Sequence, residues 1–438
     1  MKVGMGERNI NYKQITVVSI LYNVGMLFHQ LLPQPFFVLA SMLFLTYLNR
    51  VLPKTSDMVH KLFYASLLLV PTSFVSILGT SFGEFPLSWF HFLILSIFMV
   101  ILLKFAVDVK YLLILLSFLV LSGITTFQSA DIVDAGKQII TIVVLGYLPF
   151  IIGQHFKGKA EAEFVRRSVT LYLIGVTSFA LMIFVQSSFI GTTGTVVGHS
   201  AMFGGGRITH AALMSDFSFA NLYCATGAMI VLILFFEKKL STRAFIFLQA
   251  LFLVAMLLIN ARTGIFALFF AGAIYLCSQA GRMKFGAIVL LIISAMATPI
   301  VLNFIVESRG GQAFFDGSGR LQGYRDAINV FFEHPIIGVG FGLENLYTTT
   351  GLGVPHNYFV QYLVQSGTVG VALMMTKFFL LLTTNNRRKN VMRWPLYLVF
   401  VGAMFIPDIY SSRFLAVIIV IFMSNAGLEK NRILGNNT

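Results

Sequence analysis

The chain has 438 residues, of which 57% are apolar and only 11% are charged, and its mean hydropathy is +0.84. Soluble domains carry roughly 25% charged residues, so this composition excludes a water-soluble globular fold and a disordered chain. A bilayer span needs about 20 apolar residues, and the sequence therefore predicts an all-α polytopic transmembrane helix bundle of about 12–14 spans.

Apolar runs long enough for such spans follow one another along the chain. They predict N-terminal helices within 1–190, central helices within 217–305 and C-terminal helices within 357–438. Two connections between these helices are long: a first loop, 191–216, and a second loop, 306–356. Long loops often carry function where most other connections are short, so we predict that 306–356 is the catalytic loop. The runs are 15–32, 35–49, 62–80, 88–106, 111–128, 138–156, 168–190, 217–236, 244–260, 263–279, 285–305, 357–382, 394–410 and 413–427.

The net charge of +14 is distributed unevenly between the two sides of the predicted membrane. With a cytoplasmic N-terminus, 24 of the 31 Lys and Arg and 7 of the 17 acidic residues lie on cytoplasmic segments. This positive-inside pattern predicts cytoplasmic termini and two extracytoplasmic long loops. The excess of basic residues is explained by the orientation of the protein in the membrane, so no nucleic-acid partner is expected. The outer basic residues are Lys137, Arg207, Arg262, Arg309, Arg320, Arg325 and Arg413.

The first long loop contains the glycine-rich stretch 198–210. It lacks the Lys-Ser/Thr of a phosphate-binding loop, so a flexible connector is the simpler interpretation. Arg207 is the exception, because orientation does not require a basic residue on the outer face. Asp216 and Asn221 flank the entry to the next span and are candidates to cap it.

The second long loop contains a segment, 318–335, with helical periodicity. One side of this segment is apolar and the other polar, which predicts an amphipathic helix on the outer membrane surface. Pro335 and the glycines Gly338, Gly340 and Gly342 end it with a turn, and we interpret that turn as structural. The apolar side is Leu321, Tyr324, Ile328, Phe331 and Phe332, and the polar side is Arg325, Asp326, Asn329 and Glu333.

A histidine lies at the predicted outer mouth of the next span, directly after Pro355. At about 100° per residue, Gly367 and Gly370 follow His356 on nearly the same helical face. This spacing predicts an imidazole above a shallow groove without side chains, although close helix packing through small residues gives the same pattern.

The outer face thus combines groups that suit transfer from a lipid-linked diphosphate. Neutral imidazole near pH 7 accepts a proton from a hydroxyl, and the positive end of a helix favours the neutral form. Guanidinium groups match phosphate oxygens two at a time, and Arg207, Arg262, Arg320 and Arg325 all lie on this face. His356 is the candidate base and these arginines are candidate diphosphate ligands.

Four motifs resemble those of the bacterial O-antigen ligase and O-antigen polymerase superfamily of membrane glycosyltransferases. The resemblance covers residues about 200–370. Residues 1–190 are similar to the family only in consisting of apolar, membrane-spanning segments. In this sequence Asp216 is not followed by Pro-Asn, as it would be in the family's motif. At the position of Asn260 the family more usually has serine. The motifs are His356-Asn357 with Gly367 and Gly370, Gly319-Arg320 through His334-Pro335 to Gly342, Asn260-Ala-Arg262-Thr-Gly264, and Gly206-Arg207 through Asp216 and Asn221.

The resemblance implies an enzyme of the bacterial cytoplasmic membrane that acts on its extracytoplasmic face, without a metal or cofactor. His356, Arg320 and Arg207 would be catalytic. The implied partners are an undecaprenyl-diphosphate-linked glycan donor, a glycan or lipid-glycan acceptor, membrane lipid, a chain-length regulator and a flippase. Further substrate-binding candidates are Arg262, Arg325, Asn357, Gly367 and Gly370.

Among the family's activities, we favour a polymerase of surface polysaccharide such as O-antigen, capsule or exopolysaccharide. The alternative is a ligase that transfers the glycan to lipid A core. A polytopic transporter or flippase is a more distant alternative, because few charged residues fall deep within the predicted spans.

Overall fold

A computed structural model confirms the predicted all-α membrane helix bundle. It describes residues 10–31, 33–52, 57–77, 87–105, 107–157, 162–203, 207–280, 320–342, 345–347, 354–383 and 390–435. The predicted span 285–305 and the part of the catalytic loop that contains Arg309 lie outside the described residues.

The helices follow the predicted order along the chain. In the N-terminal part they are α1 (Tyr12–Met26), α2 (Gln34–Val51), α3 (Met58–Leu69), α4 (Trp89–Lys104), α5 (Val109–Thr126), α6 (Ile132–Thr141), α7 (Leu148–Lys157) and α8 (Ala162–Thr193), with a π-helical segment, Ile142–Tyr147, between α6 and α7. Next come two short strands, β1 (Ser200–Phe203) and β2 (Arg207–His210). The later helices are α9 (Phe217–Phe236), α10 (Thr242–Ile259), α11 (Arg262–Ala280), α12 (Arg320–Glu333), α13 (Tyr358–Thr383), α14 (Arg393–Ala403) and α15 (Phe414–Gly435).

Within the described residues, six helical stretches are long and apolar enough to cross a bilayer. Helix α9 lies at the centre of the bundle, with 83% of its apolar window buried, whereas α10 lies at the periphery, with 28% buried. The six stretches are Val109–Thr126, Ile132–Lys157, Ala162–Thr193, Phe217–Phe236, Thr242–Ile259 and Tyr358–Leu381, and shorter apolar helices cover Met58–Thr72, Trp89–Lys104 and Phe414–Asn425.

One end of the bundle carries the strands, α12 and the segment that precedes α13, and we call it the loop face. Contacts between chain segments far apart in sequence hold it together. The rings of Phe28, after α1, and Phe189, near the end of α8, are 5.3 Å apart. The backbone N–H of Ala130, after α5, donates to Oδ1 of Asn345 at 2.7 Å. These two contacts join the ends of α1 and α8, and the end of α5 and Asn345, at this face.

The predicted cap of α9 is confirmed for one of its two candidates. Oδ1 of Asp216 accepts hydrogen bonds from the second and third backbone N–H groups of α9, at 2.6 and 3.1 Å. Asn221 does not cap α9. Its amide donates to the carbonyl of Met256 near the end of α10 at 2.8 Å, and Gly264 of α11 packs directly against it. Asn221 thus joins the ends of three helices at the loop face.

Helix α13 is broken at Gly367, where φ is 61° and ψ is −165°. A break inside a membrane helix leaves backbone groups unpaired, and lipid offers them no partner. The turn 335–342 supplies the missing partners on both sides of the break. Two N–H groups of the turn donate to carbonyls of the first half of α13: Val339 to Val364 at 2.9 Å and Gly340 to Gln365 at 3.0 Å. Two carbonyls of the turn accept from N–H groups of the second half: Pro335 from Thr368 at 2.9 Å and Ile336 from Val369 at 3.2 Å.

This arrangement corrects the expected groove beneath His356. The predicted stripe assumed one continuous helix, but the direction of α13 changes at Gly367. A Cβ atom on Gly367 would overlap the carbonyl of Ile336, so the turn fills the space that the missing side chain leaves. The alternative explanation, close packing through small residues, is therefore the correct one at Gly367.

Buried amide side chains hold the turn 335–342 in place. The amides of Gln138, on α6, and Gln365 donate to each other, each at 3.0 Å. Gln138 also accepts from the N–H of Gly342 at 2.6 Å, and Gln365 donates to the Gly342 carbonyl at 2.9 Å. Each amide thus uses both its donor and its acceptor, as burial in a low dielectric demands.

We expect Gly367→Ala to destabilise the protein strongly. The backbone conformation at Gly367 is one that L-residues rarely adopt, which costs about 1–3 kcal/mol, and the added methyl also collides with the turn. Thermal unfolding of the purified protein in detergent measures the effect. Gly123→Ala is the matched control, because a methyl group there meets nothing within 4 Å. Equal unfolding temperatures of the two variants would contradict the role of the break.

Candidate active site on the loop face

His356 lies on the loop face and is solvent-exposed. It precedes α13 rather than lying in its first turn. Asn357 caps the helix, because its Oδ1 accepts from the N–H groups of Phe359 at 3.0 Å and Val360 at 3.2 Å. The cap fixes the backbone next to His356, at the helix end whose dipole is positive.

Helix α12 forms as predicted, and its expected apolar side is buried only in part: Phe331 packs against the cluster that α12 shares with α13, whereas other members of that side are exposed. The expected apolar side included Ile328 and Phe332, which are 39% and 70% exposed. The buried residue is Ala327, which packs with Val339 and Val364. Sequence periodicity cannot identify this face, because periodicity reflects only which residues avoid water. Contact with the neighbouring α13 also determines which face is buried.

A hydrogen bond connects α12 to the histidine segment. The hydroxyl of Tyr324 donates to the backbone carbonyl of His356 at 3.1 Å. Arg320 begins α12 four residues before Tyr324, and residues four apart are neighbours on a helix surface. The hydrogen bond therefore anchors α12, the helix that begins at Arg320, to the segment that carries His356. Arg325 is exposed on another side of α12.

Arg207 begins β2 of a hairpin, where a flexible connector was expected. Strand β1 pairs antiparallel with β2, with Phe203 opposite Arg207. Buried Gln186 of α8 anchors the base of this hairpin: it donates to the Val197 carbonyl at 2.6 Å and accepts from the Ala212 N–H at 2.9 Å. The hairpin that carries Arg207 is therefore anchored to α8 at its base.

Arg262 begins α11 directly after a sharp turn at Asn260 and Ala261. Helix α10 ends at Ile259, and Asn260 adopts a left-handed conformation with φ of 55°. Strand β2 contacts α10, so the segments that carry Arg207 and Arg262 lie on the same part of the loop face.

Two histidines of the hairpin segment, which sequence reasoning did not select, are held in the neutral form. Burial lowers the pKa of His199, although the charge of Asp216 acts in the opposite direction. Burial also lowers the pKa of His210, which is 6% exposed. The imidazole of His199 stacks on Phe217 at 4.8 Å. Both pKa shifts favour the neutral imidazole at neutral pH.

Sequence reasoning also missed a buried lysine on α13. The ammonium of Lys377 donates to the Tyr410 hydroxyl and to the Gly146 carbonyl at 3.5 Å, and lies 4.3 Å from the ring centre of Tyr147. Gly146 belongs to the π-helical segment, where carbonyls depart from the regular helical pattern. Lys377 thus has partners inside the protein and ties α13 to that segment.

The apolar helices of the bundle define an integral membrane protein, and the candidate site residues lie at one end of the bundle. Residues 246–375 match the family model described as O-Antigen ligase. This match confirms, for residues 246–375, the resemblance to the O-antigen ligase and polymerase superfamily seen in the sequence. The matched region includes Arg262, Arg320 and His356, but not Arg207. No curated protein matches the chain.

We expect Tyr324→Phe to reduce glycan transfer by about fivefold, which corresponds to one neutral hydrogen bond of about 1 kcal/mol. The hydroxyl that connects α12 to the His356 carbonyl is lost, while the ring remains. The measurement is transfer from a lipid-linked donor by the purified protein. Tyr347→Phe, at an exposed tyrosine of the same loop, is the control and should retain full activity. Indistinguishable rates for the two variants would show that this bond does not position the site.

Proposed function

We propose that this protein polymerises undecaprenyl-diphosphate-linked oligosaccharide repeat units into a surface polysaccharide, on the extracytoplasmic side of the bacterial cytoplasmic membrane. The family match supports an activity of the O-antigen ligase or polymerase type on a lipid-linked glycan. The observation that carries the proposal is the bond between Tyr324 and His356, which holds the start of α12 beside an exposed imidazole.

In the proposed reaction, a sugar hydroxyl of the acceptor attacks the anomeric carbon of the donor glycan. An imidazole nitrogen of His356 takes the hydroxyl proton as the new glycosidic bond forms. The bond between the anomeric carbon and the diphosphate oxygen breaks, and its electron pair leaves with undecaprenyl diphosphate. The diphosphate linkage is already activated, so the reaction needs no other energy source.

Negative charge grows on the leaving diphosphate in the transition state. Arginines that contact it would therefore stabilise the transition state more than the ground state. We assign this role to Arg320 and Arg207, with Arg262 as a further ligand of the diphosphate, whereas Arg325, on another side of α12, is not assigned to it. Asn357 acts through the helix cap that positions His356, and Gly367 acts through its contact with the turn 335–342.

The acceptor distinguishes the polymerase from its main alternative. A polymerase adds the glycan to a growing chain, whereas a ligase adds it to lipid A core. The description of the matching family names the ligase, so this second function fits that description at least as well. Both use the same donor and the same chemistry at His356. A chain-length regulator and a flippase are the protein partners that we propose for the polymerase.

We expect His356→Ala to abolish chain extension in a deletion strain that expresses the variant at the normal level, because the proposed base is lost. Electrophoresis of the surface glycan gives the readout, and single units that remain attached are the expected product. Full-length chains that accumulate on the lipid carrier would instead identify a ligase. His29→Ala, at a histidine in the hairpin after α1, is the control. Near-normal polymer with His356→Ala would refute the proposed base.

We expect Arg320→Lys to be nearly as damaging as Arg320→Ala, with transfer reduced by more than about tenfold. A lysine supplies a point charge, but it cannot replace the two parallel N–H groups with which a guanidinium binds a phosphate. Initial rates of the purified variants test this, with Arg243→Lys at the exposed start of α10 as the control. Full activity of Arg320→Lys would rule out a bidentate contact.

A further inference from the structure

The connection between α14 and α15 carries an arginine that the proposed reaction does not use. Arg413 is only 3% exposed, although it lies on the loop face. Its guanidinium covers the ring of Phe74 at 3.8 Å, and its Nη1 donates to the Ser411 carbonyl. Nε of Arg413 has no hydrogen-bond partner.

The carboxylate nearest in sequence does not pair with this guanidinium. The oxygens of Asp408 accept from the Tyr410 N–H at 3.0 Å and from the Ser411 hydroxyl at 2.6 Å. Among the described residues, no carboxylate lies within 4.0 Å of Arg413. Burial lowers the pKa of Arg413 to about 9, so the guanidinium stays charged at neutral pH. Asp408 attracts Arg413 only from beyond ion-pair distance, so the buried guanidinium has no carboxylate in contact with it, and such a cation calls for an acceptor.

A second buried donor lies close to Arg413, at the start of α4. His91 is 2% exposed, and it lies within the electrostatic range of the Arg413 charge. The backbone N–H of Ser88 donates to Nδ1 of His91 at 3.3 Å, so Nδ1 is an acceptor and the ring proton is on Nε2. Nε2 of His91 also has no hydrogen-bond partner. Two N–H donors, from different parts of the chain, thus lack acceptors.

We propose that Arg413 and His91 form an oxyanion-binding site for a phosphate or carboxylate group of the glycan substrate. Guanidinium and imidazole N–H groups next to a positive charge favour a negatively charged oxygen over a neutral one. The site is connected to the histidine segment, because the rings of Tyr410 and Tyr358 meet at 5.5 Å and Tyr358 follows His356 by two residues. This assignment rests on the proposed glycan transfer.

The oxyanion has two possible sources, which share one chemistry. It is either the diphosphate of the lipid-linked donor or the carboxylate of an acidic sugar in the acceptor. Sodium diphosphate represents the first source and sodium glucuronate the second. Binding of each probe to the full-length protein in nanodiscs is measured by calorimetry against sodium chloride at equal ionic strength.

We expect Arg413→Gln and His91→Asn each to weaken binding of one of these probes by about tenfold or more, the loss of one charge-assisted hydrogen bond. His91→Asn keeps an acceptor near the position of Nδ1 but removes the Nε2 donor, whereas His91→Gln places an amide N–H near that donor and should retain binding. Arg243→Gln, at the start of α10 on the opposite face, is the control.

Each outcome decides the assignment. Weaker binding of glucuronate alone identifies an acidic sugar as the ligand, and weaker binding of diphosphate alone identifies the donor. Unchanged binding of both probes in His91→Asn overturns the site, and so does unchanged binding in a folded Arg413→Gln. The site is also overturned if the wild-type protein binds neither probe more tightly than chloride. Water would then be the acceptor of the two N–H groups. Binding is measured without transfer, so a failure of the proposed function at His356 remains distinguishable.

Discussion

The structure depends on the hydrogen-bonding demand of a helix that breaks inside a membrane. At Gly367 the backbone of α13 loses its regular pattern, and lipid cannot satisfy the groups that are released. The turn 335–342 satisfies them with two donors and two acceptors. The glycines of this turn and the amides of Gln138 and Gln365 serve that purpose, since the turn must approach α13 at backbone contact.

The positions of the site residues follow from this constraint. The turn directly follows α12, so its attachment to α13 also places α12 against the start of that helix. Ala327 then packs on Val364, and Tyr324 reaches the carbonyl of His356. A flexible loop of this length would leave the imidazole and position 320 free to move independently. The motif of His356, Asn357, Gly367 and Gly370, which resembles an active-site signature, thus also serves to hold α12 in place. His356 is the exposed residue of this motif.

Local signals in the sequence predicted much of this architecture. The apolar runs, the cap by Asp216 and the amphipathic character of α12 depend on neighbouring residues, so periodicity and composition identify them. The break at Gly367 could not be predicted, because a glycine within an apolar run is equally compatible with a continuous helix. The hairpin anchor at Gln186 and the burial of Arg413 depend on contacts between distant parts of the chain. The same limitation applies to the buried face of α12.

Hydrogen exchange of single backbone amides tests the central claim most directly. In the folded protein, the N–H groups of Val339, Gly340, Thr368 and Val369 should exchange slowly, although they lie in a turn and next to a helix break, because each is bonded across the break. Exchange of these four amides at the rate of an open loop, while amides within α9 stay protected, would show that the turn does not close the break. The placement of His356 beside α12 would then lose its physical basis.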